Sequence, residues 1–250
     1  MKTPDFQPRY YRDWSKDRDL VSFNIVVKET DLYIRARSNL QKKAHRLVVK
    51  YRAMLEHYIA HFPLFLTSLV PVEVAAGAPH IVDVMAEAAQ KAGVGPMAAV
   101  AGAIAEEVGK ELLPYSDELI IENGGDIYIN SDRRRLIGIY AGTSPLSGRV
   151  ALEISSRRTP LGICTSSGTV GHSLSFGRAD AAVVLSDSAA LADAAATAVG
   201  NRVVQTSDIT AALELAQKID GVTGAVVIKD DRMGVWGDVT LSPLPESTAL

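Results

Sequence analysis

The sequence predicts an α+β fold made of two repeated units, each running strand pair, helix pair, strand pair, with helices covering one face of antiparallel sheets in two layers. Two observations carry this. The hydrophobic period changes from two residues to about 3.6 and back again, twice along the chain. The composition, with 250 residues, 47% hydrophobic and 22% charged, supplies ample core for a globular protein.

Residues 22–28 and 32–37 alternate apolar and polar side chains around Glu29-Thr30-Asp31, a β-hairpin pattern. From Leu40 the period lengthens: Ala44, Leu47, Tyr51, Leu55, Tyr58 and Phe62 share a helical face with it, and Pro63 ends the run. A second helix carries Ile81, Val84, Met85 and Ala88, and a third opens at Pro96 with Met97, Val100, Ile104 and Val108 inward. Strands return at 118–122, 126–130 and 135–141. The second half repeats the order: alternation at Val150, Leu152 and Ile154, a turn at Arg158-Thr159-Pro160, and a strand at 161–165. A helix over roughly 188–200 follows, capped by Ser186 or Asp187, then one after Ser207, then a hairpin of 222–229 and 233–241. The whole chain, 1–250, is expected to be one domain of two T-fold-like repeats, about 20–145 and 146–242.

The net charge of −3 supplies no electrostatic drive toward nucleic acid or an acidic membrane surface. Arg133-Arg134-Arg135 is a local exception and reads as a solvated hairpin turn. A single cysteine, Cys164, excludes an intramolecular disulfide and a cysteine-rich zinc site, and its apolar neighbours mark it as a small buried hydrophobe. Met1-Lys2-Thr3-Pro4-Asp5-Phe6 lacks a signal-peptide core, and no uncharged apolar stretch is long enough to span a bilayer. These features point to a cytoplasmic location. Exposed edges of small sheets leave room for a homo-oligomer.

Three segments place polar and glycine residues where a plain core would not. Glu122-Asn123-Gly124-Gly125-Asp126 lies between two apolar strand pieces, and its glycines suit either close ligand approach or an Asn-Gly hairpin turn. Thr165-Ser166-Ser167-Gly168-Thr169-Val170-Gly171-His172-Ser173 gathers hydroxyls and glycine amides after a strand, a composition able to wrap phosphate oxygens, and His172 adds a proton-exchanging group. The alternative is a surface loop with a structural histidine. Asp193 and Thr197 stand four apart in an alanine-rich helix, hence on one face. They are hard oxygen ligands of the kind Mg²⁺ accepts, or else a helix-dipole aspartate and a threonine bonding back to the chain.

In this order and spacing the three segments resemble the ApbE-like superfamily, whose characterised members are FAD:protein FMN transferases. Asn123-Gly124-Gly125-Asp126 is similar to that family's Asn-x-Gly-Gly-Asp element, residues 165–168 to its Thr-Ser-Gly segment, and Asp193 with Thr197 to an Asp-Ala-x-Ala-Thr element whose Asp and Thr bind magnesium. Residues 94–102 and 166–177 resemble most an uncharacterised bacterial and archaeal branch. The chain departs from the transferases at Gly171-His172-Ser173-Leu174-Ser175-Phe176-Gly177, where one histidine stands in place of a double-histidine segment with its following Ile-Asp-Pro and Thr-Gly.

The resemblance implies a magnesium-assisted enzyme acting on a flavin nucleotide (FAD or FMN) or another phosphate-bearing small molecule, by FMN transfer or pyrophosphate hydrolysis. Asp193 and Thr197 would hold the metal. Asn123, Gly124, Gly125, Thr165, Ser166, Ser167, Gly168, Thr169 and Ser173 would bind the ligand. Asp126 or His172 would move protons. The rival expectation is a non-catalytic protein that binds a flavin, nucleotide or pterin-like ligand.

Overall fold

The computed structural model describes residue 12 and residues 19–170 and 175–244. Strands β1 (Val21–Val27) and β2 (Thr30–Ala36) form the first hairpin, paired from Val21↔Ala36 to Val27↔Thr30. Its turn is Lys28-Glu29, with Lys28 at φ 53°, one residue earlier than the sequence suggests. Helix α1 (Gln41–His61) buries Ala44, Leu47, Tyr51, Leu55 and Tyr58 as predicted, and Val48 besides, while Phe62 past its end is 45% exposed. The short α2 (Leu64–Thr67) leads to α3 (His80–Ala92), closed by Gly93 in the left-handed region. Pro96 opens a 3-10 turn, Pro96–Ala99, that runs into α4 (Val100–Leu112).

Then come β3 (Leu119–Asn123), β4 (Asp126–Asn130), β5 (Arg135–Gly138), β6 (Val150–Ile154), β7 (Leu161–Ser166) and β8 (Ala181–Ser186). Helices α5 (Ala189–Asn201) and α6 (Ile209–Lys218) and strands β9 (Val222–Lys229), β10 (Arg232–Gly237) and β11 (Leu241–Pro243) complete the chain. Eight strands form one continuous antiparallel sheet in the order β1-β2-β3-β4-β7-β8-β9-β10, and β11-β6-β5 form a second sheet.

Three layers result, where two were expected. The helices cover one face of the large sheet, over Leu32, Ile34, Leu119, Ile121, Val184 and Val227. The three-stranded sheet covers the other, where Ile137, Leu152 and Ile154 pack on Ile120, Ile129, Ile163, Val183 and Val226. Central strands buried on both faces lose their alternation and read as unbroken apolar runs. That is why β8, buried at every position, escaped the sequence reading. The turn after β6 leads into β7 along the chain, but β7 pairs with β4 and β8, while β5 and β6 leave the main sheet.

The Arg133-Arg134-Arg135 run is only partly the solvated turn expected of it. Arg133 and Arg134 are exposed, but Arg135 lies in β5 with its guanidinium 2.6 Å from Glu118 and 2.9 Å from Asp19. The hydrogen bond from Arg135 holds the Asp19 carboxyl down at about 2. Burial alone would push Glu118 upward, but hydrogen bonds from Asp132, Arg135 and Ser131 bring it below its usual range. Among the described residues no helix is long and apolar enough to cross a membrane.

Both carboxylates are lowered in the folded chain, so their contribution is complete above the unfolded range near pH 4 and lost as pH falls through the folded values. Arg135→Met leaves Glu118 buried without its cation and is expected to cost about 3–5 kcal/mol at neutral pH. Urea unfolding followed between pH 7 and pH 2 checks this, with the acid-dependent loss smaller in the variant.

Candidate functional site

The site is assembled where α5 comes down on β7 and α4. Small residues permit the approach: a side chain on Gly162 would meet the Ala189 Cα at 2.4 Å, and one on Gly102 would meet the Ala189 carbonyl oxygen at 2.2 Å. The helix starts at Ser188, whose hydroxyl accepts the Leu191 N–H, so the cap lies just past the Ser186 or Asp187 expected. Buried Glu106 of α4 reinforces it by accepting from the Ser188 hydroxyl at 3.0 Å and the Ala190 N–H at 3.2 Å.

Asp193, one turn into α5, accepts the Gly102 N–H at 2.9 Å. Burial first, and then the nearby charge of Asp126, pushes its carboxyl well above the ordinary aspartate range, against the pull of the Gly102 and Ala101 amides. Asp126 opens β4 and accepts the Thr165 N–H at 3.3 Å. Cys164 of β7 is fully buried, its thiol donating to the Ala189 carbonyl at 3.3 Å. Burial and both aspartates push that thiol well up, so it is the inert small hydrophobe the sequence suggests and no nucleophile.

Gly124 and Gly125 join β3 to β4 as a two-residue hairpin turn with φ of 71° and 109°, so the turn reading of this segment holds structurally. The Gly125 N–H donates to Glu122 at 2.9 Å, and the Asn123 amide donates to the Ala101 carbonyl at 3.0 Å. Glu122 in turn meets Arg12 at 2.6 Å. This gives Arg12 a role that the sequence alone did not reveal.

Beyond Thr165, the hydroxyl loop is occupied with its own closure. Ser167 accepts the Thr169 and Val170 N–H groups at 3.1 and 3.0 Å, and Thr169 donates to Asp180 at 3.0 Å. Gly168 packs against Gly177, where a side chain would meet its carbonyl at 2.1 Å, and the Ser166 hydroxyl faces Gly200 of α5. His172 and Ser173 lie outside the described residues. Asp126, Asp193, Thr165 and the Asn123–Gly125 turn are thus brought together by direct bonds or charge, and Thr197 follows Asp193 one turn along the same helix face. Sequence reading missed Gly102, Glu106 and Asp180. A glycine inside the helical run at 100–112 was the one available signal, since such a glycine often marks close packing.

Among the described residues no three His, Cys, Asp or Glu side chains gather as a metal centre. A cation here would be held by Asp193 and Thr197 and completed by Asp126, backbone carbonyls or ligand oxygens. Because the folded Asp193 carboxyl is raised, stability falls as pH climbs above about 4, where the unfolded chain ionises and the folded site resists. Asp193→Asn keeps an oxygen for the Gly102 amide and removes the repulsion. Without divalent cation it is expected to melt roughly 2–4 °C higher near neutral pH, as scanning calorimetry checks.

The family model described as "AbpE bacteria" matches residues 12–235. The UPF0280 protein of Methanocaldococcus jannaschii is 43% identical over 232 residues, covering 90% of this chain and 92% of that one. That of Methanocella arvoryzae is 47% identical over 194 residues, 76% of this chain and 78% of its own. Among solved structures, a variant of the flavin transferase ApbE from Vibrio cholerae superposes with a TM-score of 0.56 at 12% identity, over 88% of this chain and 97% of that one. The apo flavinyl transferase ApbE of Pseudomonas stutzeri gives 0.54 at 12% identity, over 87% and 94%. The likeness to these structures is one of fold. With its family match over most of the length, the chain belongs to the ApbE-like superfamily, in the family described as AbpE bacteria and alongside the UPF0280 proteins.

Proposed function

We propose that the protein is a magnesium-assisted enzyme that acts on a flavin nucleotide, or another phosphate-bearing ligand, by group transfer or pyrophosphate hydrolysis. The observation that carries this reading is the approach of two carboxylates from distant parts of the chain, with Asp193 raised by burial and by the charge of Asp126. Among the described residues no lysine or arginine pairs with Asp193, whose bonded partner is the Gly102 amide. A divalent cation would relieve that repulsion, and the donor set suits Mg²⁺.

In this reading the site lies at the seam of two T-fold-like halves, about 20–145 and 146–242. Asp126 comes from the first, Thr165 and Asp193 from the second. When bound, magnesium would neutralise phosphate charge. Asp193 and Thr197 would hold it. The positive-φ turn at Gly124-Gly125 leaves backbone open to a ligand without side-chain bulk, and the loop after Thr165 would border the phosphates. Asp126 or His172 would exchange the proton that transfer or hydrolysis requires. The second reading, binding without turnover, is favoured by the engagement of Ser167 and Thr169 in closing their own loop.

Calorimetric titration of FAD with and without Mg²⁺ tests both readings. Magnesium-dependent binding that vanishes in Asp193→Ala is expected, together with turnover that falls at least about 100-fold in that variant and in His172→Ala. Binding without turnover, unaffected by His172→Ala, would leave the second reading standing. No binding under any condition would overturn the flavin assignment.

A further inference from the structure

Strand β1 forms one edge of the large sheet, with β2 between it and β3. It is seven residues long and contains no proline or charged residue, two of the devices that often blunt an edge. Gln41 of α1 donates to the Asn24 carbonyl at 3.2 Å, which sets the direction of the backbone. In an antiparallel strand, the N–H and C=O of one residue point to the same side and alternate along the chain. Ser22, Asn24 and Val26 therefore direct their backbone groups away from β2.

A groove runs beside this edge, between Asn24–Val26 and the first turns of α1, lined by Lys42, His45 and Arg46. All three are exposed, and among the described residues none has an ion-pair or hydrogen-bond partner. The groove has no acidic lining residue. Among the described residues the outward groups of Ser22 and Val26 and the Asn24 N–H take no partner, while Gln41 holds the Asn24 carbonyl. Such backbone groups beside a row of unneutralised basic side chains are the chemistry that recognises an extended acidic segment.

We propose that β1 and α1 form a strand-addition site for an extended, acidic peptide segment of another protein. The segment would lie antiparallel or parallel to β1 as a ninth strand. Its alternate side chains, on the helix side of the sheet, would carry carboxylates to Lys42, His45 and Arg46. A second copy of this chain fits less well. Two β1 edges paired about a two-fold axis would bring the two basic rows side by side, like charge against like.

The test is fluorescence anisotropy, with the whole 250-residue chain titrated into a short labelled peptide alternating Thr and Glu, beside a control with Lys in place of Glu. Binding of the acidic peptide alone is expected, weakening as salt rises. Lys42→Glu with Arg46→Glu should weaken it at least about tenfold. So should Val26→Pro, which removes an outward N–H and leaves the β1–β2 ladder intact. Circular dichroism confirms folding, and the helix-surface pair keeps the test valid if the proline variant does not fold. Equal binding of both peptides, or of neither, overturns the proposal. Displacement by inorganic phosphate with no effect of Val26→Pro would mean an anion groove without strand addition. A dimer by sedimentation that Val26→Pro dissolves would mean that a second copy holds the edge.

Discussion

The closeness of α5 to its neighbours is the constraint on which the rest depends. Its face toward the sheet and α4 is nearly all alanine, and Gly102 and Gly162 stand opposite Ala189 where any larger residue would meet backbone. A helix seated this low brings its second-turn side chain within reach of the first turn of α4. Asp193 then takes a backbone N–H from Gly102 that no capping side chain satisfies. The same descent sets α5 over β7, so that Asp193 feels the charge of Asp126 across Cys164.

This arrangement stores an electrostatic tension in an otherwise apolar setting. Elsewhere the buried charges of the fold are paired: Glu118 with Arg135, Glu106 with Lys110 and the start of α5, and Glu122 with Arg12. Among the described residues Asp193 has only amides to offset its burial. A buried carboxyl whose described partners are amides, in a fold that pairs these other buried acids with cations, is the physical basis on which a cation and a phosphate ligand are proposed at this point.

The loop after β7 contributes differently from its composition. Its hydroxyls and glycines suggest a surface made for phosphate, yet Ser167 and Thr169 close the loop on itself and Gly168 is needed for packing against Gly177. Asp180 anchors this loop through Thr169 and receives the Asp230 N–H at 2.6 Å, tying the loop to the β9–β10 turn. Thr165 and Ser166, at the end of β7 and nearer to Asp126 and α5, are the part of this segment that borders the candidate site.

The sequence by itself determined the α+β class, the order of helices and most strands, the buried thiol and the small set of segments in which polar residues interrupt the core. These are local properties: period, turn residues and spacing along one helix are written in neighbouring positions. Only the tertiary structure decided that eight strands join in one sheet with a second sheet behind it, because burial on both faces erases the alternation that marks a strand. It also decided which polar residues meet. Gly102 and Asp193, or Asp126 and Thr165, are far apart in sequence, and their bonds depend on how closely backbones can approach, which no single segment records. The placement of Arg135 beside Glu118 and Asp19 rather than in water follows from the same cause, since a charge run reads as solvated until its partners are known.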